Sequence, residues 1–200
     1  MTDCQKSAWQ CLNSREVYDN PWIKVTHDQV KRPNGSEGIY GRIHFKNLAI
    51  GVVALDVDTS GEEYVYLVRQ SRYPLDCVTL ELPEGGCLLA EPNGDGEAGI
   101  GEAPLQAAQR ELREEVGLIA RDWQPLMQLQ LSNSVSDECA QIFVARGLEA
   151  GEQALEDTED IEVVKLPLKT AVAKVLSGDI VDAISVAALL RVGAKYLMDT

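Results

Sequence analysis

One segment of the chain, Pro104–Leu118, constrains the fold more than any other. Pro104 suits the first turn of a helix, and Gly117 is a typical C-terminal stop. At helical spacing, the apolar side chains between them fall on one narrow stripe, namely Leu105, Ala108, Leu112 and Val116. Such a stripe must face a core. The sequence therefore predicts a helix over residues 104–116 that packs by one face.

The same helix carries acidic side chains beside its apolar stripe. Glu111 and Glu115 follow one edge of the stripe, while Glu114 is spaced to pair with Arg110. Carboxylates crowded beside a buried face repel one another and lose hydration unless a cation compensates them. A hard divalent cation such as Mg²⁺ accepts a few carboxylates together with water and substrate phosphates. A metal site is one interpretation of this edge, and a plain charged helix edge is the other.

Composition bounds the partners that the chain can have. The 200 residues suit one domain, or one domain with a small appendage, and carry a formal net charge of −14. Such a charge opposes docking on nucleic acid or anionic lipid, and no run approaches the roughly 20 apolar residues that span a bilayer. The five cysteines lack the spacing of a zinc site or a disulfide framework, and no signal peptide is visible. We therefore expect a cytoplasmic protein with no membrane or nucleic-acid partner.

Strand patterns lie on both sides of the acidic helix. Residues 1–46 contain two strands around a turn at Lys31–Gly35, a small antiparallel sheet that is too short to be stable alone. From residue 47 onward, strands precede and follow the helix, and two more helices close the chain. Mixed strands with helices predict an α/β/α sandwich. We expect an N-terminal β subdomain over 1–46 and an α/β domain over 47–200. The predicted strands cover 22–26, 39–45, 49–57, 64–69, 78–82, 124–131, 140–146 and 161–166, and the last helices cover 169–176 and 181–196.

The segment Arg110–Leu118, together with Glu102, resembles the Nudix box. That motif reads Gly, five residues, Glu, seven residues, then Arg-Glu-aliphatic-x-Glu-Glu-x-Gly-aliphatic, and this chain meets it literally with Gly96 in first place. Many constrained positions at fixed spacing make a chance match improbable. The resemblance implies the Nudix fold, an α/β/α sandwich with a mixed sheet.

The start of the box departs from the family pattern. In the family, the first Gly closely follows the strand that enters the box, and here Gly85 or Gly86 has that position. We therefore interpret Gly85 or Gly86 as the structural glycine, residues 87–95 as a loop insertion, and the match of Gly96 as coincidence. The insertion bears on the backbone carbonyl near Glu84, which in relatives can complete the metal shell.

Stretches outside the box resemble the ADP-ribose pyrophosphatase and nucleoside diphosphate sugar hydrolase branch of the family. Val68–Pro74 and Leu80–Pro83 match its RQ-x-R…E-L-P signature, and Ser136–Glu138 and Glu159–Val163 match later loops. The resemblance implies hydrolysis of the pyrophosphate in ADP-ribose or a related nucleotide sugar, with Mg²⁺ or Mn²⁺ as cofactor, to a nucleoside monophosphate and a sugar phosphate. Two alternatives stay open, namely another substrate such as GDP-mannose and a non-catalytic, nucleotide-sensing module.

The resemblance also assigns roles to the acidic helix and its surroundings. Glu111, Glu114 and Glu115 would hold the metal, with Glu84 completing the shell. Arg110 would orient these carboxylates through its pair with Glu114. The predicted catalytic set is Glu115 and Arg110 with Glu159. Glu159 or a neighbouring carboxylate of its acidic loop would assist the attacking water, and a loop that is acidic only because it is solvated is the other interpretation.

A further set of residues is predicted to bind substrate, namely Arg69, Arg72, Glu81, Trp22 and Glu138. The two arginines are cations suited to a diphosphate, although a surface strand end explains them equally well. Trp22 or Tyr18 could stack on a nucleobase, or could pack in the N-terminal sheet. In relatives the N-terminal sheet commonly exchanges across a homodimer, so the resemblance implies a homodimer here.

Overall fold

A computed structural model describes residues 7–88, 101–155 and 160–197 of the chain. Within these ranges the strands, in chain order, are β1 (Gln10–Asp19), β2 (Ile23–Lys31), β3 (Glu37–Phe45), β4 (Asn47–Val57), β5 (Glu63–Arg72), β6 (Cys77–Glu81), β7 (Glu84–Leu88), β8 (Leu118–Gln130), β9 (Cys139–Ala150) and β10 (Glu162–Pro167). The α-helices are α1 (Pro104–Val116), α2 (Leu168–Ser177) and α3 (Ala183–Val192). None of the helices in these ranges has the length and apolarity to span a bilayer.

The chain divides into two compact units. The first comprises Met1–Asn47 with Gln130–Glu138, and the second comprises Leu48–Leu129 with Cys139–Thr200. The first unit contains an antiparallel sheet with the order β1-β2-β3. The predicted small antiparallel sheet is therefore confirmed, and β1 adds a strand that the sequence does not predict.

The connection between β8 and β9 also belongs to the first unit. Ile43 of β3 donates its N–H to the carbonyl of Val135 (2.9 Å), and Phe45 donates its N–H to the carboxylate of Asp137 (2.9 Å). Asp137 also contacts the imidazole of His44. These contacts join a segment from the middle of the chain to the N-terminal sheet, so the first unit is discontinuous in sequence.

The second unit is built on a seven-stranded sheet. Its strand order is β10-β5-β4-β9-β8, with β6 paired to β5 and β7 paired to β4. β4 runs parallel to β9 but antiparallel to β5, so the sheet is mixed. The central strand β4 is buried over most of its length, as a strand covered on both faces must be.

Helix α1 covers one face of this sheet. Its bounds confirm the predicted helix, and Gly117 ends it in the left-handed region with φ of 69°. Ala108 and Leu112 are fully buried in a core that includes Ile50 and Val52 of β4. Ala108, Leu112 and Val116 of the predicted stripe therefore pack against the sheet, with the acidic edge beside them. Leu105, at the start of the helix, is exposed, so the prediction that it faces the core is wrong.

Helices α2 and α3 close the unit. Gly51 alternates with the α1-facing residues of β4, and a Cβ atom there would lie 2.7 Å from Ile184 of α3. Helices thus lie on opposite faces of the sheet, and the predicted sandwich is confirmed. Several bounds differ from prediction. β2, β5 and β9 extend further, to Lys31, Arg72 and Ala150, and β8 begins earlier, at Leu118. α3 ends at Val192, before a short 3₁₀ turn over Ala194–Leu197.

Candidate active site

Arg110 is the hub of the acidic edge of α1. Its guanidinium donates to the carboxylates of Glu102 (3.0 Å), Glu111 (2.8 Å) and Glu114 (3.0 Å), and to the carbonyl of Gly86 (2.9 Å). The hydrogen bond to Glu102, helped by the other two carboxylates, raises the pKa of Arg110 above its ordinary value. One fixed cation thus holds three carboxylates in place, which confirms the predicted Arg110–Glu114 pair and extends it.

Glu111 and Glu115 are buried although they are acidic, with exposed fractions of 7% and 2%. A Cβ atom at Gly85 would overlap the carboxylate of Glu111, so a larger residue there would displace that side chain. This contact supports Gly85, in β7, as one of the two candidates for the structural glycine. By contrast, Gly96 lies outside the described residues.

The predicted insertion is shorter at its start than the sequence suggests. Cys87 and Leu88 are the last residues of β7, which pairs with β4, so they are not part of a loop. Cys87 is buried and its thiol contacts the carbonyl of Glu102 (3.1 Å). The prediction of a loop at Cys87 and Leu88 is wrong because Gly85 and Gly86 lower the strand propensity of this segment, whereas its packing on α1 makes it a strand. The rest of the predicted insertion, residues 89–95, lies outside the described residues.

Glu84 joins α1 to α3. Its N–H donates to the carboxylate of Glu115 (2.9 Å), while its own carboxyl accepts from the hydroxyl of Ser185 (3.2 Å). Burial, with the neighbouring charge of Asp182 adding to it, raises the pKa of Glu84 well above its ordinary value. The side chain of Glu84 is therefore engaged with α3.

Metal ligands are not already assembled in the described ranges. No group of three or more His, Cys, Asp or Glu side chains is arranged there as a metal site. Instead, Arg110 contacts both Glu111 and Glu114. The acidic edge thus brings together oxygen donors of the kind that hard cations prefer, and two of them are bonded to the guanidinium of Arg110.

The two arginines predicted to bind substrate are both paired with carboxylates. Arg72 donates to the buried Glu81 (3.1 Å between Nε and Oε2), and Arg69 pairs with Glu162 (2.7 Å). Burial alone would lower the pKa of Arg72, but the bond to Glu81 leaves it above its ordinary value. A cleft of about 260 Å³ lies beside Arg69. Its lining residues are Arg69, Gln70, Ser71, Val78, Asp160, Ile161 and Glu162.

The other predicted site residues belong to the first unit or lie outside the described residues. Trp22 and Tyr18 are exposed residues of the first unit, so the predicted alternative that they pack in its core is wrong. Glu138 belongs to the same unit, and partial burial raises the pKa of its carboxyl. Glu159, the predicted loop base, lies outside the described residues.

Two family models match the chain. Residues 9–43 match the nucleoside diphosphate sugar hydrolase N-terminal domain, and residues 46–184, more than half of the chain, match the NUDIX domain. The chain belongs to the Nudix family. It is a Nudix pyrophosphohydrolase, as the resemblance of its acidic helix predicts.

Nudix relatives of this chain match it over most of its length. An ADP-ribose pyrophosphatase of Mycobacterium tuberculosis (strain ATCC 25618 / H37Rv) is 33% identical over 93% of this chain and 84% of its own. A methanol dehydrogenase activator of Bacillus methanolicus is 26% identical over 89% of both chains. The crystal structure of an ADP compounds hydrolase has a TM-score of 0.76 at 24% identity and covers 98% of both chains. This last match confirms the Nudix fold.

Sequence reasoning missed two side chains near the Nudix box in space. Ser185 and Asp182 are more than sixty residues beyond Gly117 in the chain, yet both contact Glu84. No local motif in the sequence indicates a chemical role for either residue. Their position depends on the packing of α3, which a local pattern does not encode.

Proposed function

We propose that the chain hydrolyses the pyrophosphate of ADP-ribose, with a divalent cation, to AMP and a sugar phosphate. The observation that carries the proposal is the edge of α1, where Glu111 and Glu115 are buried beside Arg110 in a Nudix domain. The match of residues 9–43 to a nucleoside diphosphate sugar hydrolase N-terminal domain supports the substrate class. The name of the mycobacterial relative supports ADP-ribose within that class.

Glu111, Glu114 and Glu115 are the proposed ligands of Mg²⁺, with Mn²⁺ able to replace it. The donor set fits such an ion because it offers only carboxylate oxygens, and because Gly85 leaves the space that Glu111 requires. Arg110 bonds to three carboxylates, and Arg113 lies 3.9 Å from one of them, Glu114. When bound, the metal supplies charge neutralisation at the phosphates and a lower pKa for a water molecule.

The protein's own residues would hold the substrate and move the proton. In the reaction, a water oxygen bonds to one phosphorus, the bridging P–O bond breaks, and the water proton leaves to a base. We assign that base to Glu159, the predicted loop carboxylate. Asp160, its neighbour, lines the cleft that also contains Arg69, which supports binding of the diphosphate there. Arg110 keeps the carboxylates oriented throughout.

The remaining predicted residues complete the proposal. Arg72 with Glu81 would shape the substrate side of the turn before β7, and Glu84 would add a backbone carbonyl to the metal shell. Trp22 and Glu138, both in the first unit, would contact the nucleoside.

The exposed apolar residues of the first unit support a homodimer. We retain a cytoplasmic location as part of the proposal.

A panel of substrates tests this function. Full-length protein with Mg²⁺ is given ADP-ribose, GDP-mannose and other nucleoside diphosphate sugars, and the monophosphate released is measured by chromatography. We expect AMP from ADP-ribose at the highest kcat/KM, and loss of activity with EDTA that Mg²⁺ restores. Faster cleavage of GDP-mannose would change the substrate but keep the reaction. Tight binding of ADP-ribose without products would contradict the proposal.

A further inference from the structure

Ser185 is a polar residue on the buried face of α3. Its exposed fraction is zero, and Ile184, Ala188 and Leu189 are its buried apolar neighbours on the helix. The hydroxyl is used in both directions, because it accepts the N–H of Leu82 (2.8 Å) and donates to the carboxyl of Glu84 (3.2 Å). A buried hydroxyl is costly unless it is bonded, so these two bonds explain a serine at this position.

The two bonds fix the turn Leu82–Glu84, which connects β6 to β7. Pro83 has no N–H, so the turn's backbone donors are those of Leu82 and Glu84. Leu82 donates to Ser185 on α3, and Glu84 donates to the carboxylate of Glu115 on α1 (2.9 Å). The carbonyl of Pro83 accepts the N–H of Val52 on β4 (2.9 Å). The turn is thus held from three sides.

Helix α3 presents its serine to this turn in a fixed orientation. Asp182 caps the helix, since its carboxylate accepts the backbone N–H of Ser185 (2.8 Å). The hydroxyl therefore belongs to the first turn of α3, which the Asp182 cap holds in place. A continuous set of hydrogen bonds runs from α3 through the turn to Glu115.

We propose that Ser185 is a positioning residue for the carboxylate of Glu115, acting through the Leu82–Glu84 turn. The inference rests on the proposed function, in which Glu115 holds the metal. A carboxylate whose oxygen accepts a fixed N–H is already oriented, so less order has to be imposed when a cation binds. Without the hydroxyl, Leu82 loses its acceptor and Glu84 loses a donor, so the N–H that orients Glu115 is held less firmly. Partners outside the ligand shell typically change metal affinity by about ten- to a hundredfold.

The test compares Ser185→Ala with Ile184→Val in the full-length protein. Mn²⁺ alone is titrated into substrate-free protein by calorimetry, and thermal unfolding is recorded without metal. We expect Ser185→Ala to raise the Kd for Mn²⁺ about tenfold. Ile184→Val is the matched control: it trims a buried side chain on the same helix, lowers the unfolding temperature and leaves the hydrogen bonds intact, so the Kd should change less than about twofold.

Hydrogen exchange gives a second measurement that does not depend on metal. The amide of Glu84 should exchange faster in metal-free Ser185→Ala than in the wild type, and should be unaltered in Ile184→Val. An unchanged Kd in Ser185→Ala, or an equal rise in both variants, would overturn the inference, because metal affinity would then be independent of the hydroxyl. A wild-type protein that binds no Mn²⁺ would instead overturn the metal role of Glu115, and the inference with it.

Discussion

Glu115 is an acidic side chain with an exposed fraction of 2%, held by the backbone N–H of Glu84. We predict that Glu115→Gln abolishes turnover, with kcat lowered at least about a hundredfold, because an amide binds a hard divalent cation poorly. The fold should survive, since glutamine has the same shape and can still accept that N–H. Steady-state kinetics with ADP-ribose, together with thermal unfolding, measure both effects.

The matched control is Glu149→Gln, which neutralises an exposed carboxylate that pairs only loosely with Arg121 (3.4 Å). Its kcat should equal that of the wild type. A wild-type kcat in Glu115→Gln would contradict the metal role of Glu115. A low kcat in Glu115→Gln together with a wild-type kcat in Glu149→Gln would show that the loss of activity is specific to the acidic edge of α1.

Single residues also show how far the sequence predicts the site. Arg110 and Glu114 are predicted as a pair because helical spacing alone brings them together, and the structure confirms that pair. Gly85 is predicted only as one of two candidates, since its need for glycine comes from the carboxylate of Glu111 in another element. Ser185 is not predicted at all, because its contacts cross a hundred residues of chain. Local contacts can be read from sequence, whereas contacts made by packing cannot.

At the scale of elements, the C-terminal end of α1 allows a specific prediction about stability. Gly117 has φ of 69°, and a Cβ atom there would lie 3.2 Å from the backbone nitrogen of Gln153. Gln153 in turn donates its amide to the carbonyl of Glu115 (2.6 Å), so it caps the helix that carries the acidic edge. Gly117→Ala should therefore lower the free energy of unfolding by about 2 kcal/mol, from left-handed strain together with displacement of Gln153.

Gly178→Ala separates those two causes. Gly178 ends α2 with φ of 82°, but a Cβ atom there meets nothing within 4 Å. Its replacement should cost only the backbone strain, about 1 kcal/mol. Urea unfolding of both variants measures the difference. Equal losses would show that the contact with Gln153 contributes nothing to the stability of the α1 terminus.

The elements that the sequence does not predict share a physical cause. β1 pairs with β2 through two register shifts, between Cys11 and Asn13 and between Glu16 and Tyr18. Each shift interrupts the alternation by which a strand is recognised. In β7, two consecutive glycines lower strand propensity, and their place is fixed by α1 instead. Helix α1 is predicted to the residue because its periodicity, start and stop all agree.

At the scale of the whole molecule, the discontinuous first unit predicts a pH-dependent stability. Partial burial alone would raise the pKa of Asp137, but hydrogen bonds from His44 and from the N–H of Phe45 lower it below the ordinary 3.8. A lowered pKa means that the carboxylate stabilises the fold above the ordinary value and loses that effect as the pH falls through the lowered one.

Asp137→Asn should accordingly reduce the free energy of unfolding by about 1 kcal/mol at pH 6, because the bonds to an ionised, partly exposed carboxylate become bonds to a neutral amide. The difference from the wild type should begin to shrink below about pH 4 and continue to shrink as the pH falls through the lowered pKa of Asp137. Urea unfolding across this range, followed by hydrogen exchange in β3, measures it. A difference that stays constant down to pH 3 would show that the charge of Asp137 is not its cause.

The first unit also predicts that the protein is a dimer. All ten residues of β1 are exposed, and large apolar side chains remain uncovered in this small sheet, including Leu12 (53%), Val17 (55%) and Trp22 (64%). Three strands bury little apolar surface by themselves, so an exposed apolar set on them is explained by a covering partner.

Light scattering should give about twice the chain mass of 21.9 kDa. Replacing both Leu12 and Val17 with glutamate should shift the protein to monomer, because two buried charges would oppose association. Val57→Glu, which adds charge at an exposed apolar site of the second unit, should leave the mass unaltered. A wild-type monomer at micromolar concentration, or a double variant that stays dimeric, would show that this apolar set faces solvent for another reason.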